Sequence, residues 1–388
     1  MKKFKGFIVL SILISFLFAP LAQAAEEKQQ AELAEQSSSA IVIERDTGQV
    51  LFEKNSHEKL PPASMTKIMT MLLIMEQIDK GSLKYEDMIR TSENAASMGG
   101  SQVFLEPGEE MTVTDMLKAI AIASGNDASV AMAEHIAGTE DEFVKMMNQK
   151  AKELGLENTN FMNSNGLPAA EHYTTAHDLA IISKELLKYE DITKFTSIYE
   201  DYLRKGTEKE FWLVNTNKLV KFYPGVDGLK TGFTREAMYC LTATAEKNGM
   251  RVITIIMGAP TPKERNAQIT AMLDYSFSQY MTHPMYERDY LIEEISVIKG
   301  DKKKVPVLTS ESISLLTKKG ENIDDVVERI EWKEDVRAPI QKGDTLGTLF
   351  LEKDGKVLSE SPLVSGEDVD SASWWQLFKR VLSKFGAN

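Results

Sequence analysis

Three short stretches of the sequence carry side chains that could perform nucleophilic chemistry, and the first of them is Ser64–Lys67. Its serine and lysine are three residues apart, so a helix would place the hydroxyl and the amine on one face. A serine hydroxyl is a weak nucleophile until a base removes its proton. Apolar neighbours such as Ile68 and Met71 would favour the neutral amine that acts as such a base. The spacing therefore predicts Ser64 as a nucleophile and Lys67 as its general base, near a helix start whose free N–H groups can stabilise an oxyanion.

The other two stretches could complete such a site. Ser124–Asn126 places a second hydroxyl and an amide in a loop between two predicted helices. Lys230–Gly232 offers a cation and a hydroxyl that could hold a carboxylate, and its glycine would let a substrate approach the strand edge. Each stretch alone has an ordinary interpretation, because Ser-x-x-Lys is commonly a solvated helix face and the other two are common turns. Their combination and order carry the functional hypothesis.

Together and in this order, the three stretches resemble the motif set of the penicillin-binding proteins and serine β-lactamases. The middle one reads Ser-Gly-Asn rather than Ser-Asp-Asn, which is similar to the low-molecular-mass D-alanyl-D-alanine carboxypeptidases, serine peptidases of the S11 type. The similarity covers essentially the whole chain and looks closest to the branch found in spore-forming bacteria. It extends to Pro62–Lys67, Gly99–Ser101, Ile122–Asp127, Asn163–Leu167 and Val226–Gly232.

The resemblance implies a D-Ala-D-Ala carboxypeptidase that needs no cofactor and no metal. Ser64 would be acylated by the penultimate D-alanine of a peptidoglycan stem peptide, and also by β-lactams. Lys67 would act as the base, and Ser124 would relay a proton. The substrate-binding positions carried over from the family are Asn126, Lys230, Thr231, Gly232, Phe233 and Arg265.

Two of these carried-over roles are more specific. The backbone N–H groups of Ser64 and Phe233 would form the oxyanion hole. Arg265 would bind the terminal carboxylate, although an ordinary surface arginine near a helix N-terminus fits the sequence equally well. The branch that the sequence resembles also implies a role in maturing the peptidoglycan of the spore cortex.

The elements that must position these residues indicate an α+β fold. Strand patterns within Ala40–Lys54 precede a helical centre, and two β-branched runs around Asn248-Gly249 are followed by a helix capped at Thr261. This order favours an antiparallel sheet flanked by helices. The resemblance implies the transpeptidase fold of penicillin-binding proteins and serine β-lactamases for residues 38–282. Beyond it, residues 283–362 are predicted to form a small all-β domain with strands at Leu291–Ile298, Val305–Leu308, Leu346–Leu351 and Lys356–Ser359.

The N-terminal end is typical of an export signal. Three lysines precede an apolar run, and Ala22-Gln23-Ala24 provides small residues for cleavage, so residues 1–24 are predicted to be a signal peptide. An uncleaved membrane anchor is the alternative, but the run is shorter than the ~20 residues that span a bilayer. Residues 25–37 are predicted to be a loosely ordered polar leader. We therefore expect an exported protein at the outer face of the cytoplasmic membrane.

The C-terminal end indicates peripheral attachment to that membrane. Apolar residues recur at helical spacing in residues 374–388, beginning with Trp374 and Trp375, and three cations lie in the same segment. Such a helix suits the headgroup region of an anionic bilayer. A helix docked on the protein's own body is the alternative. Residues 363–373, rich in Ser, Asp and Gly, are predicted to be a linker.

Composition excludes several other classes. With 45 basic and 58 acidic residues, the 388-residue chain has a net charge of −13, which disfavours a nucleic-acid partner. The single cysteine, Cys240, excludes an internal disulfide and is interpreted as a small buried hydrophobe. His172 and His177 are interpreted as surface or core residues rather than metal ligands. Two other functions remain open: a β-lactamase on the same fold and a non-catalytic wall-binding or scaffolding protein.

Overall fold

The computed structural model describes residues 33–385, with side chains through Lys379. These residues form two compact units. The first comprises the described chain up to Ile43 together with Val50–Ala245 and Val252–Ser276. The second comprises Glu44–Gln49, Glu246–Arg251 and the chain from Phe277 onward. The signal peptide predicted for residues 1–24 lies outside the described residues.

A five-stranded sheet in the order β2-β1-β9-β8-β7 supports the first unit. The pairs β1/β2 and β7/β8 are antiparallel. Two short hairpins, β3/β4 and β5/β6, lie outside this sheet. The nine strands are β1 (Ser39–Glu44), β2 (Val50–Lys54), β3 (Met88–Arg90), β4 (Glu110–Thr112), β5 (Glu200–Leu203), β6 (Phe211–Val214), β7 (Val226–Thr234), β8 (Met238–Lys247) and β9 (Met250–Ala259).

Helices fill the chain between β2 and β7, and one more follows β9. Threonine hydroxyls define several of their starts, as at Thr112, which accepts a hydrogen bond of 3.1 Å from the Asp115 N–H. The helices are α1 (Lys67–Asp79), α2 (Glu93–Ala96), α3 (Val113–Ala121), α4 (Asn126–Ala137), α5 (Glu140–Glu153), α6 (Ala176–Leu186), α7 (Thr193–Thr196), α8 (Leu219–Phe222) and α9 (Pro262–Gln279). The predicted α+β architecture is confirmed.

Helix α1 lies at the centre of the first unit's core. Every residue from Lys67 to Glu76 is buried, because the helix is apolar on nearly all of its faces. Its apolar side chains belong to one hydrophobic cluster with those of α3, α4 and α6. The element that follows the candidate nucleophile is therefore held on all sides.

The second unit contains the predicted all-β domain. Its strands are β10 (Tyr280–Tyr286), β11 (Leu291–Ser296), β12 (Lys304–Thr309), β13 (Ile313–Lys318), β14 (Val327–Trp332), β15 (Thr345–Lys353) and β16 (Lys356–Ser365). They form a β10-β13 pair and a sheet in the order β11-β12-β16-β15-β14. Three of these strands, β10, β13 and β14, were not predicted. Strand β14 has adjacent charged residues, Glu328 and Arg329, which interrupt the alternation expected of a strand, and none of its residues is fully buried.

The prediction of a linker over residues 363–373 is wrong for much of that stretch. Strand β16 continues to Ser365, and Val369 forms a bridge with Ile340. The inward-facing positions near the end of β16 include Ser361 and Ser365, both buried. Serines in these positions gave the strand the composition of a loop.

The predicted leader also differs where the structure describes it. Ala34 and Ser37 are buried, and the Lys54 ammonium donates hydrogen bonds of 2.9, 2.8 and 2.7 Å to the carbonyl groups of Ala34, Glu35 and Ser37. Residues 33–37 are therefore fixed on the first unit rather than loosely ordered.

The chain ends in helix α10 (Trp374–Phe385). Its first two tryptophans are 72% and 55% exposed, and the Trp374 ring stacks on that of Phe378 with centroids 5.1 Å apart. In the part of the chain that the structure describes, no helix has the length and apolar character needed to cross a membrane.

Candidate active site

Ser64 lies in a 3-10 turn, Ala63–Thr66, that leads directly into α1. The helix thus begins at Lys67, whereas the sequence predicted a helix from Ser64 onward. Ala63 has a left-handed backbone (φ +48°), which turns the chain just before the serine. The Lys67 Nζ and Ser64 Oγ atoms are 3.3 Å apart, so the predicted pair is brought together.

Lys67 is fully buried and has two further oxygen partners. Its Nζ donates hydrogen bonds to Asn126 Oδ1 at 2.6 Å and to the Asn165 carbonyl at 2.5 Å. Burial, and secondly the charge of Lys230, hold the pKa of Lys67 well below its ordinary value of 10.5, against a smaller opposing effect of Asp127. The neutral amine is thus favoured at this position.

Ser124 and Asn126 lie where α3 passes into α4. Ser124 is buried and has a left-handed backbone (φ +64°). Asn126 opens α4, and its backbone N–H donates to the Ser101 carbonyl at 2.7 Å while its Nδ2 donates to the Gly99 carbonyl at 2.7 Å. The second predicted stretch therefore joins the Lys67 site through the Asn126 side chain.

The third stretch lies within strand β7. Lys230 is buried and donates to the Thr231 carbonyl at 3.1 Å, and burial together with nearby Arg265 lowers its pKa to about 7. The Thr231 hydroxyl donates to Thr216 Oγ1 at 2.7 Å. A Cβ added to Gly232 would lie 2.9 Å from the Pro62 carbonyl oxygen, so only glycine lets this strand lie so close to the nucleophile turn.

Phe233 and Arg265 complete the predicted set. The Phe233 ring is half-exposed and stacks on Tyr239, with centroids 4.4 Å apart. Arg265 is only 6% exposed, so the interpretation as an ordinary surface arginine is wrong. Its guanidinium donates to Asn266 Oδ1 at 3.1 and 2.9 Å, and burial lowers its pKa.

A cavity of about 420 Å³ brings most of these residues together. Two cations, Lys218 and Arg265, line it, and none of its lining residues is a carboxylate. The buried Lys67, Asn126 and Lys230 do not line the cavity. The lining residues are Ser64, Ser101, Ser124, Thr216, Lys218, Thr231, Gly232, Phe233, Tyr239, Pro262, Arg265 and Asn266. A larger cavity of about 510 Å³ adjoins Pro62 and Ala63 but is not lined by Ser64.

Several site residues were given no role from the sequence. The Asn165 carbonyl and the Asp127 carboxylate support the Lys67 site, and Thr216 and Lys218 line the cavity. A carbonyl acceptor leaves no signal in residue type. Asp127 and Asn165 fall in stretches that resemble the family, which was the only available indication.

His172 is a core residue with a defined role in the nucleophile turn. Its Nδ1 accepts the Met162 N–H at 3.1 Å, so its Nε2 carries the proton that is donated to Thr66 Oγ1 at 2.8 Å. Thr66 in turn donates to the Ala63 carbonyl at 2.8 Å. Burial lowers the pKa of His172 to about 4, which keeps the ring neutral.

Two other residues singled out in the sequence, Cys240 and His177, do not line the cavity. Cys240 is fully buried, and burial raises its thiol pKa to about 11. His177 packs against His57 with tilted rings, whose centroids are 4.4 Å apart. Within residues 33–385, no three His, Cys, Asp or Glu side chains come together as a metal site.

The chain resembles known proteins over most of its length. The family model described as D-alanyl-D-alanine carboxypeptidase matches residues 24–261, and that of the C-terminal domain of penicillin-binding protein 5 matches residues 280–371. The chain is 61% identical over 383 residues, 98% of both chains, to the D-alanyl-D-alanine carboxypeptidase DacF of Bacillus subtilis.

Solved structures show the same likeness. Penicillin-binding protein 5 of Haemophilus influenzae is similar with a TM-score of 0.67 and 31% identity, covering 87% of this chain and 98% of that one. Penicillin-binding protein D2 of Listeria monocytogenes, in its ampicillin-bound form, is similar with a TM-score of 0.56 and 30% identity, covering 62% of this chain and 98% of that one.

Proposed function

Because the chain belongs to the D-alanyl-D-alanine carboxypeptidase family of serine peptidases, and is itself such an enzyme, we propose that it removes the terminal D-alanine of peptidoglycan stem peptides through an acyl-enzyme on Ser64. One observation carries this assignment: the buried Lys67 Nζ lies 3.3 Å from Ser64 Oγ, and the serine lines the cavity. The geometry and the lowered pKa of Lys67 supply the base that a serine nucleophile requires.

The neutral amine of Lys67 suits this role in detail. It has two N–H donors and one lone pair, and its two short contacts are to oxygens that only accept, Asn126 Oδ1 and the Asn165 carbonyl. With both N–H groups used there, the lone pair is left for the Ser64 hydroxyl proton. The two acceptors therefore orient the base toward the nucleophile.

The proposed reaction has two steps. Ser64 Oγ attacks the carbonyl carbon of the penultimate D-alanine while Lys67 takes its proton, and the backbone N–H groups of Ser64 and Phe233 stabilise the oxyanion. The peptide C–N bond then breaks as Ser124 passes a proton to the departing amine of the terminal D-alanine and takes one from the Lys67 ammonium, which returns Lys67 to its neutral form. A water molecule next hydrolyses the ester, which frees Ser64 and releases the shortened peptide.

The charges around the cavity support binding of a peptide carboxylate. Arg265 and Lys218 line the cavity without any carboxylate beside them there, and the buried Lys230 lies close enough to Arg265 for its pKa to be lowered. Arg265 and Thr231 bind the terminal carboxylate, and the buried Lys230 adds positive charge near Arg265. The backbone at Gly232 binds the peptide chain, while Asn126, which does not line the cavity, acts by orienting Lys67.

The test of the proposed function is release of free D-alanine from a peptide ending in D-Ala-D-Ala. Ser64→Ala should lower the rate by about 10³-fold or more, since removal of a serine nucleophile is among the costliest changes in a serine hydrolase. Ser82→Ala, at an exposed serine outside the cavity, is the matched control and should leave the rate unchanged. Failure of the unaltered protein to release D-alanine would refute the function, and an active Ser64→Ala variant would refute the nucleophile.

We extend the proposal to β-lactams, which should acylate the same serine, as ampicillin is bound in the Listeria relative. We expect a long-lived adduct, as the assignment as a carboxypeptidase rather than a β-lactamase requires. Mass spectrometry of the protein after exposure to penicillin distinguishes the alternatives. A persistent adduct fits the carboxypeptidase, rapid turnover fits a β-lactamase, and no adduct fits a non-catalytic scaffold.

The location of the enzyme is also part of the proposal. Residues 1–24 act as a cleaved export signal, and residues 374–388 hold the enzyme at the outer face of the cytoplasmic membrane. The exposed tryptophans of α10 support this attachment. The similarity to a relative from the spore-forming Bacillus subtilis supports a role in the peptidoglycan of the spore cortex.

A further inference from the structure

The loop Gly99–Leu105, called here the wall loop, contributes one residue to the lining of the cavity. Ser101 lines the cavity, and the carbonyl groups of Gly99 and Ser101 accept the Nδ2 and backbone N–H of Asn126, both at 2.7 Å. Asn126 Oδ1 in turn accepts a hydrogen bond from Lys67. The position of this loop therefore bears directly on the side chain that orients the base.

The wall loop contains no helix or strand, so its backbone polar groups need other partners. The buried Asp127 carboxylate accepts the N–H groups of Val103 at 3.0 Å and of Leu105 at 3.1 Å. Arg204 provides the matching donors, since its guanidinium donates to the carbonyl groups of Val103 at 3.1 Å and Phe104 at 3.2 Å. One carboxylate and one guanidinium thus hold the loop together.

Arg204 is itself held in place. Its side chain is 11% exposed, and its Nε and Nη2 donate to the two oxygens of Glu109 at 2.6 and 3.1 Å. Burial alone would raise the pKa of Glu109, but hydrogen bonds from Arg204 and from the Glu106 N–H bring it below its ordinary value. Glu109 therefore stays charged and keeps the guanidinium aimed at the loop.

A second contact joins the β5/β6 hairpin to the wall loop. Arg204 follows strand β5, and the Phe211 ring of the paired strand β6 meets the Phe104 ring edge-on, with centroids 5.8 Å apart. The β5/β6 hairpin and the Arg204 guanidinium that follows β5 thus contact the wall loop through hydrogen bonds and an aromatic pair. They do so without contributing a motif residue to the reaction.

We propose that Arg204 is a positioning residue for the carboxypeptidase reaction, which fixes the wall loop and, through Gly99 and Ser101, the Asn126 side chain beside Lys67. This inference rests on the proposed function. Lysine would replace it only in part, because an ammonium is a point donor on a flexible stem, whereas the planar guanidinium reaches two carbonyl groups and a carboxylate at once.

The test uses the full chain and three variants: Arg204→Ala, Arg204→Lys and, as matched control, Lys209→Ala. Lys209 forms an exposed ion pair with Glu106, 2.6 Å long, beside the same loop, but contacts no wall-loop carbonyl. The measurements are the rate of acylation by a fluorescent penicillin, kcat and KM for D-alanine release, and thermal unfolding. All rates are taken well below the unfolding midpoint, where every variant remains folded.

Arg204→Ala should be acylated about tenfold to 100-fold more slowly, since small displacements of catalytic groups carry losses of that size. kcat should fall with little change in KM, because Asn126 orients the base and does not line the cavity. Arg204→Lys should lie between Arg204→Ala and the unaltered protein, and Lys209→Ala should match the unaltered protein. Guanidinium ion, far below denaturing concentrations, should restore part of the rate to Arg204→Ala only.

Unchanged acylation of folded Arg204→Ala, or an equal loss in Lys209→Ala, would overturn the inference. An acylation rate of Arg204→Ala that falls only in proportion to its folded fraction would overturn the inference as well. If Arg204→Ala does not fold, Glu109→Gln tests the same point, because it removes the charge that holds the guanidinium and should slow acylation several-fold. Absence of D-alanine release from the unaltered protein would instead refute the proposed function, and the two failures are therefore distinguishable.

Discussion

At the scale of single residues, the chemistry depends on how one buried amine is surrounded. Lys67 has two oxygen acceptors at 2.6 and 2.5 Å, while Ser64 Oγ is farther, at 3.3 Å. Acceptors alone would favour the ammonium, but burial and the neighbouring cation Lys230 oppose it, and the pKa is lowered on balance. The amine is thus oriented and favoured in its neutral form, as the proposed role of general base requires.

The pH dependence of acylation should report this base. Because the pKa of Lys67 is lowered, its neutral form appears at lower pH than for an ordinary lysine, and the rate of acylation by penicillin should rise with pH through that lowered pKa and then level off. Arginine does not lose its proton and so cannot act as a base. We therefore expect Lys67→Arg to lower the rate by about 10² to 10⁴-fold at every pH.

Lys145→Arg, at an exposed lysine on α5, is the control for this exchange and should follow the pH profile of the unaltered protein. A Lys67→Arg variant with more than a tenth of the original rate would contradict the role of Lys67 as base. A rate that declines as pH rises through the same interval would contradict it as well.

At the scale of the elements, much could be predicted because the signals are local. The helix caps at Thr112 and Thr261 and the Asn248-Gly249 turn were read from neighbouring residues, and the structure has each of them. The motif order was enough to predict the family, which the comparisons confirm. The 3-10 turn that carries Ser64 could not be read in this way.

That turn is shaped by residues far away in the sequence. Ala63 adopts a left-handed backbone against Gly166, whose own φ is +86° and whose added Cβ would lie 1.9 Å from the Ala63 carbonyl oxygen and 2.9 Å from the Ser64 nitrogen. A contact between positions about a hundred residues apart leaves no local pattern. For the same reason the wall loop's dependence on Arg204 could not be predicted.

Gly166→Ala tests this account of the nucleophile turn. The new methyl group would overlap the backbone of Ala63, so we expect a fall in the free energy of unfolding well beyond the roughly 1–2 kcal/mol of the left-handed conformation itself, together with slower acylation. Gly155→Ala is the control, since Gly155 also has positive φ (+72°) but its added Cβ meets nothing within 4 Å. Equal losses in both variants, measured by denaturant unfolding, would show that backbone strain alone is responsible.

At the scale of the whole molecule, the C-terminal segment differs from the chain as a whole in its charge, and it carries exposed tryptophans. The net charge is −13, whereas the three cations of residues 374–388 accompany the exposed Trp374 and Trp375. An acidic protein gains little from an anionic surface by its overall charge. The proposed attachment to the membrane would therefore depend on the local cations and the tryptophans.

Deletion of residues 374–388 should abolish co-sedimentation with phosphatidylglycerol vesicles and leave D-alanine release unchanged. Binding of the intact protein should be weaker to phosphatidylcholine vesicles, because the electrostatic part is lost. Alanine at Tyr290 and Leu291, two exposed apolar residues elsewhere in the second unit, is the control and should not alter sedimentation. Sedimentation of the truncated protein at its former level would rule out the helix as the attachment.

The arrangement around Lys67 also limits how resistance to antibiotics can arise. Its partners come from three separate stretches of chain, the turn at Ser64, the start of α4 at Asn126 and the loop at Asn165. In the proposed mechanism, a drug that mimics the substrate and the substrate itself use the same lone pair of Lys67, so a change that disturbs these contacts would slow both reactions together. Mutations that give resistance and still preserve the maturation of the wall are therefore expected at residues that shape the entrance of the cavity, rather than around Lys67.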